Sequence, residues 1–279
     1  MRLKKSMLGA SCSLFLAATA LADGPTSTVN SDTSIYNWSG VYVGAIAGAN
    51  IVGSNAKADF LGSQSGGTFS STGELDASYA SAGARFAVLR QFNGLIVGFQ
   101  GSFEGVPGGS ISSNLRCSDV TPGSACNQYN AAPGANTGGV NLLATQSIKW
   151  HSNALLRLGM PVSDQFAVSF LAGAAAAQIR SNGVISTTDT QTGASFNSSF
   201  SDTQIRAGWA VGASIEAIVV RNWVVGLEFL HEDFGRVTSE GSLGRTCTGC
   251  GPGAFPLNAQ LSSSLVNESV KGLPDVSSG

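Results

Sequence analysis

Between Gln204 and Gly235 the chain reads QIRAGWAVGASIEAIVVRNWVVGLEFLHEDFG, an apolar stretch that nevertheless carries Arg206, Glu216, Arg221 and Glu228. A membrane-spanning helix needs about 20 largely apolar residues, and a charge near its centre is costly. Sorting the residues by parity removes the conflict. Ile205, Ala207, Trp209, Val211, Ala213, Ile215, Ala217 and Val219 are all apolar, while Gln204, Arg206, Gly208, Ala210, Gly212, Ser214, Glu216 and Ile218, mostly polar or small, lie between them. Apolar residues at every second position make one face of a strand. After a turn near Arg221-Asn222, Trp223, Val225, Leu227 and Phe229 continue that face, with Glu228 and Glu232 opposite.

The same alternation recurs upstream. Asn93-Gly94 is a strong two-residue hairpin signal. Folding about it sets Val88 opposite Phe99 and Ala84 opposite Phe103, so the apolar faces of both legs coincide. Ser81, Arg85, Gln100, Ser102 and Glu104 then share the polar face, and turn and pattern fix one register. A further hairpin runs from Lys149 to Ile179, turning near Ser163-Asp164. Trp150, Ala154, Leu156, Leu158 and Met160 line its apolar face, with Lys149, His151, Asn153 and Arg157 opposite. A first strand at Gly40–Asn50 and a last one within Leu261–Leu273 bring the total to about eight.

Roughly Ile51–Asp76, Val106–Ser147, Arg180–Asp202 and Arg236–Gln260 separate these hairpins and are rich in Gly, Ser and Asn. Long connections alternating with short turns predict an all-β fold, an eight-stranded antiparallel transmembrane β-barrel with long extracellular loops. A soluble sandwich would also alternate, but its polar faces would meet water. Only 11% of the residues are charged, and Arg and Glu share the polar face, which favours a lipid-facing apolar wall. A formal net charge of −2 leaves no footprint for nucleic acid.

The N-terminus adds a destination. Arg2, Lys4 and Lys5 precede an apolar run from Met7 to Leu21, and Ala20-Leu21-Ala22 forms an A-x-A cleavage site. Residues 1–22 are therefore expected to be a secretory signal, 23–35 a flexible segment and 36–279 the barrel. Cleavage removes Cys12 and leaves Cys117, Cys126, Cys247 and Cys250 in an oxidising compartment. These four allow three connectivities, and the two local pairs are the expected ones. Cys247-Thr-Gly-Cys250 has redox or half-zinc spacing, yet it lacks both a βαβ context and a nearby His.

YNWSGVYVGAIAGAN, NGLIVGFQGSFEG, LLRLGMPVSDQFAVSFLAGAAAAQI and DTQIRAGWAVGASIEAIVVRNWVVGLEFLHEDFG, in this order, resemble the successive strands of the small OmpA-like outer-membrane β-barrel proteins, in particular the immunogenic surface barrels of alphaproteobacteria. The resemblance implies an eight-stranded barrel in the outer membrane of a Gram-negative bacterium. It also implies a structural or surface-antigen role, with porin or haem-binding activity in some members. Such chains end in a strand with a terminal aromatic, whereas this one ends LSSSLVNESVKGLPDVSSG. Pro274 cannot donate a ladder hydrogen bond, so closure by the final strand is the weak point of the expected fold.

Little chemistry accompanies the pattern. WHSNALL is similar to a stretch of the outer-membrane lipid A deacylases, but adjacent His151 and Ser152 point to opposite faces of a strand. His151 and His231 are widely separated, which is weak support for haem ligation. Inward charges should pair across a lumen this narrow. The expected polar network is Arg85, Gln100, Glu104, Arg157, Arg206, Glu216, Glu228 and Glu232, either a packed plug or a selectivity lining. Trp38, Trp150, Trp209 and Trp223 are expected at the membrane interfaces. The expected function is non-enzymatic and cofactor-free: envelope integrity, surface antigen or adhesion, in contact with outer-membrane lipid and lipopolysaccharide and with any host or surface ligand met by the loops. The alternative is a narrow porin.

Overall fold

The computed structural model describes residues 36–62, 68–117, 137–189, 195–220, 223–243 and 257–278. The predicted signal and N-terminal segment (1–35) lie outside them, as do Cys126, Cys247 and Cys250; Cys117 ends a strand. The strands are β1 (Gly40–Gly62), β2 (Thr68–Phe92), β3 (Leu95–Gly105), β4 (Ile111–Cys117), β5 (Thr137–Pro161), β6 (Phe166–Asp189), β7 (Ser195–Val220), β8 (Trp223–Leu243) and β9 (Leu257–Ser278). Every pairing is antiparallel.

β3 and β4 both pair with β5, so they are two pieces of one strand interrupted around Pro107-Gly108. Counted that way, eight strand positions close into a ring, each bonded to its neighbours in sequence and β1 bonded to β9. Closure leaves no edge, the only form in which a sheet is tolerated in hydrocarbon.

Local sequence dictates the ring's short turns. Asn93 (φ 46°) and Gly94 (φ 84°) take the two left-handed positions of a type I′ turn. Val88 then faces Phe99, and Ala84 faces Phe103. Val162 and Ser163 N–H groups close the next turn on the Phe166 carbonyl.

Most of what the sequence suggested as long loops is wall. β1, β2, β5, β6, β7, β8 and β9 run 21 to 26 residues each, through the segments read as connections. Gly, Ser and Asn there mark strands whose outward side meets water. On β1 the outward positions run Val41, Val43, Ala45, Ala47, Ala49, Ile51, then Gly53, Asn55, Lys57 and Asp59. β7 changes likewise from Trp209, Ala207 and Ile205 to Thr203, Ser201 and Ser199. The apolar band is about ten residues tall per strand, what a tilted membrane-spanning strand requires.

The final strand closes the ring despite its composition. β9 pairs with β1 in one register from Val41↔Ser278 to Gly44↔Asp275 and again from Ala47↔Gly272 onward, and the ladder skips the positions facing Leu273 and Pro274. The missing N–H of Pro274 accounts for a gap at that point. Val225 stands opposite Pro274 on the other side, so the strand is not broken.

Candidate functional site: the barrel lumen

Inward side chains fill the bore in layers. At the mouth formed by the short turns, Trp38 is fully buried against Tyr42, Ala87, Leu89, Ile96, Ala167 and Val224. Its backbone N–H donates to Gln91 Oε1 at 2.8 Å, and its backbone carbonyl accepts the Tyr42 hydroxyl at 3.0 Å. This corrects the expectation of an interfacial Trp38: the chain before β1 folds back across the mouth and carries the ring inside.

Above this seal lies the first ionic layer. The Arg85 guanidinium reaches Glu216 at 2.8 Å, bonds Asp275 through Nε (3.1 Å) and Nη2, and approaches Glu228 at 3.5 Å. Arg157 holds both oxygens of Glu216, one at 2.8 Å, and its Nε bonds Ser169 at 2.9 Å. Gln100 reaches across to Glu228 at 2.8 Å. Arg85 on β2 and Glu216 on β7 lie four positions apart in an eight-position ring, so their bond spans the bore.

A second layer follows. Lys271 bonds Glu104 at 2.6 Å, and Glu104 also accepts the Ser81 hydroxyl at 2.7 Å. Glu232 accepts from Asn267 at 2.8 Å, and Asn50 donates to Ser81 at 2.8 Å. His151 sits between the two acids, 3.5 Å from Glu104 and 3.3 Å from Glu232. Ser152 points the other way, so the pair forms no dyad. Farther out the bore turns apolar, filled by Val52, Leu142, Ile148, Phe234, Val237 and Leu265 among others.

Of the polar residues expected in the lumen, Arg85, Gln100, Glu104, Arg157, Glu216, Glu228 and Glu232 are buried in these two layers. Arg206 is apart: it is half-buried and donates to Gln204. Lys271 and Asp275 join the two layers from β9, a strand whose many serines and Pro274 blur its alternation in the sequence. Continued through Pro274, that alternation sets Leu265, Asn267, Ser269, Lys271, Leu273 and Asp275 on the inward face. Lys149 moves in the opposite sense. A bulge between Ile148 and Trp150 sets Lys149 outward beside Trp150, so it does not share the His151 face as simple alternation predicts.

Outside, Trp209 (49% exposed) and half-buried Trp150 stand near the outer limit of the apolar band, Trp150 against Phe103 at 5.5 Å and Trp209 against His231 at 5.3 Å. Half-buried Trp223 stands at the opposite limit, at the start of β8; the turn expected at Arg221-Asn222 lies outside the described residues. Among the described residues no group of three or more His, Cys, Asp or Glu is placed to hold a metal ion. The two layers link charges of opposite sign from β2, β3, β5, β7, β8 and β9 across the bore.

No family model matches the chain. It is 24% identical over 240 residues to the 31 kDa outer-membrane immunogenic protein of Brucella melitensis biotype 1, covering 83% of this chain and 88% of that one. The protein of the same description from Brucella suis biovar 1 matches to the same extent. Among solved structures, the outer membrane protein OprG from Pseudomonas aeruginosa gives a TM-score of 0.41 at 11% identity, over 85% of this chain and 96% of that one. Ail, the attachment invasion locus protein of Yersinia pestis, gives 0.29 at 9% identity, over 82% and 99%.

Proposed function

We propose that this chain is an outer-membrane β-barrel whose lumen is a permanent plug and whose work is done on its outside, as an envelope and surface-exposed protein. The observation that carries the reading is the set of ionic bonds across the bore, Arg85 to Glu216 above all, backed by the Trp38 seal. Ion pairs this buried are costly to open, because each charge left behind loses its partner in a medium that solvates it poorly. A bore filled in this way carries no solute stream. It holds the wall in one shape.

The relation to an outer-membrane immunogenic protein supports the same location and a surface role. Export by a signal at residues 1–22, a flexible segment at 23–35 and local Cys117–Cys126 and Cys247–Cys250 disulfides belong to this reading. So do contact with lipopolysaccharide, a surface ligand met by the outer connections, and the absence of enzymatic activity. Two measurements on one preparation test it. In a washed outer-membrane fraction, the unheated protein runs ahead of the boiled protein on a gel, because a closed barrel stays compact in detergent. In a planar bilayer the purified barrel carries no steady current. A steady ohmic current would replace the plug with a narrow porin.

A further inference from the structure

One patch of the outer wall is built differently from the rest. β5 and β6 pair Ile148 with Ile179 and Trp150 with Gln178, leaving Lys149 as the extra residue of a bulge. The bulge keeps Ile148 inside, 3% exposed, and turns two successive side chains, Lys149 and Trp150, to the outer face. Without it, Lys149 would share the inward face of His151, next to the apolar upper bore. Bulges re-aim side chains in this way and are retained where the new direction is used. On the neighbouring strand Arg180 is also outward and exposed, two positions beyond Gln178, the partner of Trp150.

These two cations differ from Lys57 on the same outer wall. Lys57 is neutralised by Asp59 at 3.0 Å. Neither Lys149 nor Arg180 joins an ion pair among the described residues; Arg180 donates from Nε to the Ser201 hydroxyl at 3.3 Å, so the described residues engage the guanidinium through Nε. Their height is as specific as their charge. Trp150 and Phe103 stack at the outer limit of the apolar band, and Lys149 and Arg180 stand immediately beyond it, where lipid tails give way to head groups.

On the premise that the barrel sits in an outer membrane, we propose that Lys149 and Arg180 form a clamp for a phosphate of lipid A, with Trp150 against the base of the acyl chains. A guanidinium fork beside an ammonium suits a phosphate oxyanion, the fork by paired hydrogen bonds and the ammonium as a point charge. On the paired segment Arg180 faces Thr203, and the neighbouring Asp202 is half-buried and already accepts from Gln204 and from Ser239 at 3.3 Å.

The test is native mass spectrometry of the folded full barrel in detergent micelles, titrated separately with bisphosphorylated lipid A, lipid A stripped of its phosphates, and phosphatidylglycerol. Wild type should retain bisphosphorylated lipid A at least tenfold more tightly than the other two. The Lys149→Ala/Arg180→Ala double variant should lose that margin, and Arg90→Ala, at the opposite mouth, should keep it. A double variant that binds bisphosphorylated lipid A as wild type does overturns the clamp, and so does wild-type protein that holds phosphatidylglycerol equally well. The gel shift on the same samples separates the two levels of failure. Shifted bands with unchanged lipid retention remove the clamp and leave the barrel; a wild-type band that does not shift removes both.

Discussion

Glu216 is the residue on which most of the first ionic layer converges, since both Arg85 and Arg157 bond it while it is 2% exposed. Replacing it with alanine leaves the buried Arg157 guanidinium with Ser169 alone and Arg85 with Asp275 as its one bonded acid, and breaking a buried pair from one side costs about 3–5 kcal/mol. Glu216→Ala should therefore lower the unfolding temperature of the refolded barrel in detergent clearly, and an unchanged midpoint would count against the pairing. The outward residues give the opposite kind of prediction. Leu156 is 69% exposed and lies within the apolar band. Leu156→Lys should reduce folding stability in lipid vesicles by about 2–4 kcal/mol, the range for a charge at mid-membrane. Asn55→Lys, beyond the band on β1, should leave it within error.

At the scale of the element, the final strand is the one to test. β9 supplies Lys271 and Asp275 to the two ionic layers and also joins β1 to β8. Deleting residues 271–279 should abolish the heat-dependent gel shift while leaving the hairpins of β5 to β8 intact in sequence. A shift that survives would mean that the ring closes without that strand end. The membrane half of each strand was legible in the sequence, because Asn93-Gly94 admits one turn and apolar alternation then sets the faces. The outer halves were not. There Ser, Asn and Gly on the wet side erase the contrast on which a period-two reading depends, although Val52, Ile185 and Val237 mark the inward side. Bulges were also invisible: a single extra residue at Lys149, or the left-handed Gly235 (φ 68°) beside the irregularity between Asp233 and Arg236, reverses parity without a distinct residue type. Trp38 was misplaced because it precedes the first strand, where alternation assigns no face.

For the molecule as a whole, the question is whether two kinds of seal are both needed. The Trp38 plug and the ionic layers are stacked in the same bore, so Trp38→Ala alone should leave a planar bilayer silent. Arg85→Ala/Glu216→Ala combined with Trp38→Ala should admit current. Conduction by Trp38→Ala alone would mean that the charged layers leave a wet path. Height is the other property of the whole. A spanning strand needs about 9–11 residues, and these walls run to 26. The surplus of the longest strand, about 50 Å along its length at about 3.4 Å per residue and less once tilted, stands clear of the bilayer with its own apolar filling. An antibody or phage arriving from outside would therefore grip a stiff chimney, touching side chains that are far apart in the chain and adjacent only because the staves are aligned. Sera raised against the boiled polypeptide should then fail to label intact cells, while sera raised against the unheated barrel should label them.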